Sequence, residues 1–399
     1  MRSTSVVPVS PAAASVAAGH TPLNDAAAQF LLRLPDRTLD AHGCHASLPP
    51  GGTATLDARV REHFAAATSG PSLLVGLLPF DPQADDALYQ PQWLAPASVA
   101  SVRAVPAFRG EIHAEPSGTE YAQAVRAALD RLQAADAGLH KVVLARTLRV
   151  QAAAAIDPRA LAARLGDDPE AVTYLAPLPA TPGERPAWLV GASPERLVSR
   201  RGRQVLSHPL AGSAPRRTDP DADAQAARGL LASAKDQDEH RYVVQAIVAA
   251  LRPYCDVINA APQPTLHATA TLWHLGTRIE ATLRDPSTSV ATLLAALHPT
   301  PAVCGTPAAL ALATIRALEP VPRGFYAGAV GWMDAHGDGD WYVAIRCARV
   351  QGSQARIHAG AGIVAGSQPA LELAETAAKF GALLTALGAD PGVPTDTWS

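Results

Sequence analysis

The sequence is short of lysine and cysteine and has no long apolar run, and each shortage excludes something. No stretch approaches the ~20 consecutive apolar residues that span a bilayer, so no membrane segment is expected. Cys44, Cys255, Cys304 and Cys347 are scattered and form no C-x-x-C pair. That spacing speaks against a disulfide framework and a zinc site, and it suits a reducing cytoplasm. The net charge of −3 gives no reason to expect nucleic acid or an anionic membrane as partner. No period of 20 to 50 residues recurs, which excludes solenoids and propellers.

The lysine shortage is the most informative. Of 33 basic residues only Lys141, Lys235 and Lys379 are lysines, and the rest are arginines. A chain that uses arginine wherever a generic positive charge suffices marks its remaining lysines. They are candidates for work needing a compact ammonium or a titratable amine.

Residues 1–20 are rich in Ala and Ser, but Pro8, Pro11 and a single Arg do not make a signal peptide. They read as a disordered leader. Residues 21–390 read as a single domain, and the polar residues 391–399 as a frayed tail. The first 110 residues look Pro-rich and irregular, with one buried strand in Ser72-Leu-Leu-Val-Gly-Leu-Leu-Pro-Phe. Tyr121, Val125, Leu129 and Leu132 recur at helical spacing over 117–135. A β-branched strand covers 141–150, with Val142, Leu144, Leu148 and Val150 on one face and Lys141, Val143, Ala145 and Thr147 on the other. Short strands follow over 188–198 and 204–210, then one long helix over 222–251. Shorter helices cover 288–297 and 307–318. A hairpin joins 325–334 to 340–350 around His336-Gly-Asp-Gly, a strand covers 356–364, and a closing helix covers 369–387. Strands and helices mix without βαβ alternation, so the fold class is α+β with antiparallel pairing.

Several constellations can carry chemistry. Glu372, Glu375 and Lys379 share one face of the closing helix, and Asp236 and Glu239 form a second carboxylate pair one turn apart. Either pair alone is ordinary solvated surface. Two such helices together can hold Mg²⁺, which takes a few carboxylates and keeps positions open for water and substrate. Glycine-bearing loops at Pro209-Leu-Ala-Gly-Ser-Ala, Cys304-Gly-Thr-Pro and Ala359-Gly-Ala-Gly let backbone N–H groups approach an anion, although a tight turn explains each equally. None matches a phosphate-binding or dinucleotide fingerprint. Glu195, at the end of an apolar strand, is a candidate general acid if burial raises its pKa, and Lys141 is a candidate base. A surface salt bridge is the plain alternative for both.

In order, these segments resemble the chorismate-utilising family of isochorismate synthases, salicylate synthases and the anthranilate synthase large subunit. The resemblance runs from Pro71-Ser-Leu-Leu-Val-Gly-Leu-Leu-Pro-Phe-Asp-Pro through Lys141-Val-Val-Leu-Ala-Arg and Gly191-Ala-Ser-Pro-Glu to Pro209-Leu-Ala-Gly-Ser-Ala. It continues through Leu230-Leu-Ala-Ser-Ala-Lys-Asp, Asp238-Glu-His and Leu272-Trp-His-Leu to His298-Pro-Thr-Pro-Ala-Val-Cys-Gly. Ile345-Arg-Cys-Ala, Ala359-Gly-Ala-Gly-Ile-Val, Glu375-Thr and Lys379 complete it. It implies two packed, largely antiparallel sheets surrounded by helices, and isomerisation of chorismate to isochorismate with Mg²⁺ and no organic cofactor.

By that resemblance, Lys141 activates a water and Glu195 protonates the departing hydroxyl from the opposite face. Glu239 and Glu375 would bind Mg²⁺ directly, with Asp236 and Glu372 helping through water. Lys379, Gly212 and Ser213 would support the ring carboxylate, while Arg346 and Gly360 would clamp the enolpyruvyl carboxylate. His274 would line the pocket, together with Val303. Ala302 stands where isochorismate synthases carry Ala and the anthranilate and salicylate synthases carry Thr. Tyr326 and His358 stand where Phe is familiar, and His358 adds a titratable group that could alter pH dependence. A salicylate synthase and an inactive binding or scaffold homologue are the alternatives. The partner is a small molecule, and a monomer is expected. The product would feed siderophore synthesis through 2,3-dihydroxybenzoate, or menaquinone, or another secondary metabolite.

Overall fold

Leucine- and valine-rich runs form the strands, and amphipathic runs form helices that cover their outer faces. The computed structural model describes residues 28–66, 69–96, 107–134, 138–166, 168–180 and 183–390. The expected leader over 1–20 and tail over 391–399 lie outside the described residues.

In chain order, β1 (Gln29–Arg33), β2 (Thr38–His42) and β3 (Ala46–Ser47) precede α1 (Leu56–Ala66). Strands β4 (Leu73–Leu78), β5 (Ala87–Gln90), β6 (Trp93–Ala95) and β7 (Gly110–Glu115) lead to α2 (Gly118–Gln133). Next come β8 (Lys141–Ala152), α3 (Pro158–Leu165), β9 (Val172–Pro177) and β10 (Ala187–Ser193). They are followed by β11 (Arg196–Arg201), β12 (Gln204–His208), β13 (Leu210–Pro215), α4 (Pro220–Ala232) and α5 (Ala234–Leu251). After these run β14 (Cys255–Ala260), β15 (Thr265–Ala268), β16 (Leu272–Gly276), β17 (Ile279–Leu283) and α6 (Val290–Leu297). The chain closes with β18 (Gly305–Thr306), α7 (Ala308–Leu318), β19 (Ala329–Asp334), β20 (Gly339–Val343), β21 (Cys347–Gln351), β22 (Gln354–Ile363) and α8 (Pro369–Leu387).

One sheet runs β18-β8-β22-β21-β10-β9-β1-β2-β6, with β7 also paired to β8. The second runs β14-β17-β12-β11-β20-β19-β4-β5-β3, and β13-β16-β15 form a small third. The pairings are antiparallel, as the α+β expectation requires. Phe30, Leu32, Leu144 and Tyr174 of the first sheet share one buried cluster with Leu74, Leu77, Val198 and Trp341 of the second. On the other face of the first sheet, Leu148, Val150, Val190 and Ile357 meet Leu161 and Leu165 of α3 and Phe380, Leu383 and Leu384 of α8. No helix among the described residues is long and apolar enough to cross a membrane. None of the four cysteines is in a disulfide.

The structure corrects four readings. Among the described residues, the first 110 contain six strands and a helix, with a seventh strand beginning at Gly110, rather than one strand in an irregular region. The long helix expected over 222–251 is two helices. Ser233 ends α4, where its N–H donates to Leu230 O at 3.2 Å, and caps α5, where its Oγ accepts from Asp236 N–H at 3.3 Å. Serine in a cap competes with helix continuation by this side-chain bond. The second arm of the 325–350 hairpin does not continue to Val350. It leaves the second sheet after Val343 and enters the first at Cys347. The three glycine loops are strand segments in β13, β18 and β22.

A buried ion pair ties α7 to β8. Arg323 donates to both carboxylate oxygens of Glu319, to Val303 O at 2.7 Å and to Val143 O at 2.8 Å. Glu319 also accepts Ala145 N–H at 2.8 Å. Removing one partner of such a pair strands the other charge in the interior. Glu319→Ala is therefore expected to destabilise the fold by about 3–5 kcal/mol. Replacing Glu319 and Arg323 together by apolar residues should cost less than the single change. Urea unfolding of the three proteins checks this, and a double variant no more stable than Glu319→Ala would contradict it.

Candidate active site

The site begins at the pairing of β8 with β22. Gly362 lies opposite Val143 and Gly360 opposite Ala145. Lys141 opens β8, is fully buried, and places Nζ 3.1 Å from Glu239 Oε1 of α5. A Cβ on Gly362 would stand 2.0 Å from that same oxygen, so only glycine lets Glu239 reach the lysine.

Helices α5 and α8 face each other across this point. Glu372 is 1% exposed and Glu239 4%, so the solvated-surface alternative fails for the carboxylate pairs. Lys379 Nζ donates to Glu375 Oε1 at 2.6 Å and to Gly360 O at 2.8 Å, and Ser213 Oγ donates to the same Glu375 oxygen at 3.1 Å. Lys235 Nζ stands among all four acids, 3.1 Å from Glu372, 3.7 Å from Asp236, 3.9 Å from Glu239 and 4.0 Å from Glu375. The chain's three lysines thus converge on one place. Burial raises the Asp236 pKa against Lys235, and burial with the neighbouring Glu375 raises that of Glu372. Burial acts the same way on Glu375, but Lys379 and Lys235 outweigh it and lower its pKa. Burial works against the charge of Lys235, and Glu239, Glu375, Glu372 and Asp236 overcome it, so its pKa rises.

Glu195 sits in the turn between β10 and β11 and is 3% exposed. Burial pushes its pKa up to about 8 against the pull of Lys141, the Leu210 backbone, Lys379 and Arg346. It is therefore mostly uncharged at neutral pH. The chain crossing between sheets holds Arg346 nearby: Val343 N–H donates to Glu195 O at 3.0 Å, and Ala192 N–H to Arg346 O at 3.1 Å. Arg346 has φ of 50°, a left-handed conformation uncommon outside glycine and often found at functional sites. Burial lowers its pKa to about 10, which leaves the guanidinium charged. His274 Nε2 lies 3.5 Å from it, and burial, then Arg346 and Lys379, hold that imidazole neutral. His358 stacks on Tyr326 with ring centroids 4.7 Å apart, and burial lowers its pKa to about 3. The titratable group expected to alter pH dependence is thus locked neutral across the physiological range.

Glu195, Gly212, Ser213, His274, Ala302, Val303, Tyr326, Arg346, His358, Gly360 and Lys379 all line one cavity of about 70 Å³, with Glu239 and Glu375. A neighbouring cavity of about 300 Å³ shares Pro194 and Arg346 with it. Lys141, Asp236 and Glu372 are not among the cavity's walls. The four acids suit Mg²⁺ in kind: they are hard oxygen donors, and Glu239 Oε2 and Glu372 Oε2 are buried with no hydrogen-bond partner. Among the described residues, however, no three such groups are gathered to ligate one ion, and Lys235 lies between them. Sequence reasoning gave Lys235 no role, although it is one of three lysines and lies i,i+4 from Glu239. It also missed Glu319 and Arg323, which lie beyond the end of α7 in the Pro-broken stretch Glu319-Pro-Val-Pro-Arg.

Residues 89–388 match the family described as chorismate binding enzyme. The chain belongs to the chorismate-binding enzyme family. It is 42% identical over 375 residues to isochorismate synthase DhbC of Bacillus subtilis strain 168, covering 90% of this chain and 94% of that one. The vibriobactin-specific isochorismate synthase of Vibrio cholerae is 36% identical, with 87% of each chain covered. A crystal structure of the putative 2,3-dihydroxybenzoate-specific isochorismate synthase DhbC from Bacillus anthracis superposes with a TM-score of 0.85 at 39% identity, covering 91% and 97%. Within the family, the chain falls among the isochorismate synthases, which are isomerases.

The state of Glu195 can be measured directly. In ¹³C-glutamate-labelled protein, the carboxyl signal missing from Glu195→Gln should titrate near pH 8. A midpoint near the ordinary value of about 4.3 would refute the buried neutral carboxyl.

Proposed function

We propose that the chain converts chorismate to isochorismate with Lys141 as base, Glu195 as acid and Mg²⁺ as cofactor. The observation that carries this reading is a buried, uncharged carboxyl, Glu195, on a cavity whose walls also hold the cations Arg346 and Lys379. The substrate is a dianion with one carboxylate on its ring and another on its enolpyruvyl arm. Arg346 receives the enolpyruvyl carboxylate, for which a two-pronged guanidinium is suited, and the Gly360 backbone closes round it. Lys379, Ser213 and Gly212 orient the ring carboxylate. Acting as the base, Lys141 takes a proton from water, whose oxygen bonds to ring C2. The double bonds shift, the C4–O bond breaks, and Glu195 gives its proton to the departing hydroxyl. One water enters and one leaves.

Glu239 and Glu375 would hold Mg²⁺, with Asp236 and Glu372 assisting through water, and the ion supplies positive charge for the ring carboxylate. Ala302 offers only a methyl group beside the ring, so nothing there can hydrogen-bond an incoming amine or promote pyruvate loss. That favours isochorismate over salicylate or anthranilate as product. We propose that the product feeds siderophore synthesis, a reading supported by the likeness to a 2,3-dihydroxybenzoate-specific and a vibriobactin-specific isochorismate synthase.

Losing a positioned acid or base lowers kcat by about 10² to 10⁴, so Lys141→Ala and Glu195→Gln should each fall in that range with KM little changed. Glu195 must be protonated to act. The Glu195 contribution to wild-type kcat/KM should therefore be present below about pH 8 and be lost above it. Steady-state assays across pH check both, and a Lys141→Ala enzyme with near-normal turnover would remove the base.

Purified protein with chorismate and Mg²⁺ should give isochorismate by chromatography and little pyruvate in a lactate-dehydrogenase-coupled assay. Ala302→Thr adds a hydrogen-bonding hydroxyl, worth roughly 1 kcal/mol, and should shift product partition several-fold. Stoichiometric pyruvate from the wild type would mean a salicylate synthase.

A further inference from the structure

Lys235 stands where a cation shared by the four acids has to stand. Asp236 and Glu239 come from α5, Glu372 and Glu375 from α8, and its ammonium is within 4.0 Å of an oxygen of each. Only its Glu372 contact, at 3.1 Å, is as short as a hydrogen-bonded ion pair; Glu239 and Glu375 take their short contacts from Lys141 and Lys379 instead. Glu239 Oε2 and Glu372 Oε2 keep unused acceptor capacity in the interior.

The other two lysines are differently placed. Lys141 has no exposed side-chain surface, and Lys379 is fixed by short bonds to Glu375 and Gly360 O. The Lys235 side chain is 24% exposed, on a flexible four-carbon stem with an open way to solvent. Of the three, it is the one that can leave.

We propose that Lys235 is a stand-in cation: it holds the carboxylates of α5 and α8 together when the metal is absent, and Mg²⁺ binds by displacing it. This rests on the Mg²⁺ reading above. It makes Lys235 a positioning residue that opposes metal binding while keeping the empty site assembled. A residue that instead supported the bound metal would have the opposite effect on affinity.

The test is calorimetric titration of metal-stripped full-length protein with Mg²⁺, alongside thermal unfolding with and without the ion. Lys235→Met removes the competitor. The stripped variant should melt below wild type, yet bind Mg²⁺ roughly tenfold more tightly, the change expected for about 1.4 kcal/mol of lost competition. Lys235→Arg keeps the charge and can grip carboxylates two-pronged, so it should fold like wild type and bind Mg²⁺ more weakly. Should Lys235→Met not fold, the arginine variant decides alone. Unchanged or weaker Mg²⁺ binding by Lys235→Met, or unchanged or tighter binding by Lys235→Arg, overturns the displacement. No binding heat and no thermal shift in any of the three proteins overturns the metal reading itself, and this inference with it.

Discussion

Four carboxylates facing each other from α5 and α8 are the constraint on which the site depends. Left alone, they would drive the helices apart, and uncompensated buried charge is among the costliest features a fold can carry. The chain answers with three lysines from β8, α5 and α8, each within ion-pair distance of at least one acid. The register of β8 on β22 then has a second duty, because it sets Lys141 and the side-chain-free Gly362 on either side of the Glu239 carboxylate.

The same cations surround an acid that nevertheless stays protonated. Lys141, Lys379 and Arg346 all pull the Glu195 pKa down, and burial prevails. His274 and His358 are held neutral by burial first and by nearby arginines second. Fixed positive charge in the cavity therefore comes from Arg346 and Lys379, while the imidazoles contribute polarity without charge. A neutral proton donor beside permanent cations is the arrangement that protonation of a leaving hydroxyl on an anionic ring requires.

Much of this was legible in the chain. The closing helix falls at 369–387 as its apolar period predicts, and the i,i+3 spacing picked out the two carboxylate pairs, while the scarce lysines were marked without a common place. What escaped was long-range or locally ambiguous. Short strands among the prolines and glycines of the first 110 residues carry too few positions for a period to show. Nothing local signals that the chain changes sheets between Val343 and Cys347, because Ala344 and Ile345 carry the apolar run on past the end of β20. Lys235 neighbours Asp236 in sequence, which says nothing of contact with α8, and its place became visible only when the helices were brought together. The pairing of Glu319 with the backbone of β8 is equally invisible until α7 is docked.

Ser233 ends one helix and starts the next with a single residue. It works as an index mark from which the acids of α5 are counted. An α-helix turns about 100° per residue, so one residue inserted or deleted between this cap and Glu239 would swing that carboxylate about a quarter-turn away from α8. Substitution along this stretch can be graded in effect; a change in its length cannot. The spacing from the cap to Asp236 and Glu239 is thus a mechanical gauge, and it makes the site far less tolerant of indels than of point changes.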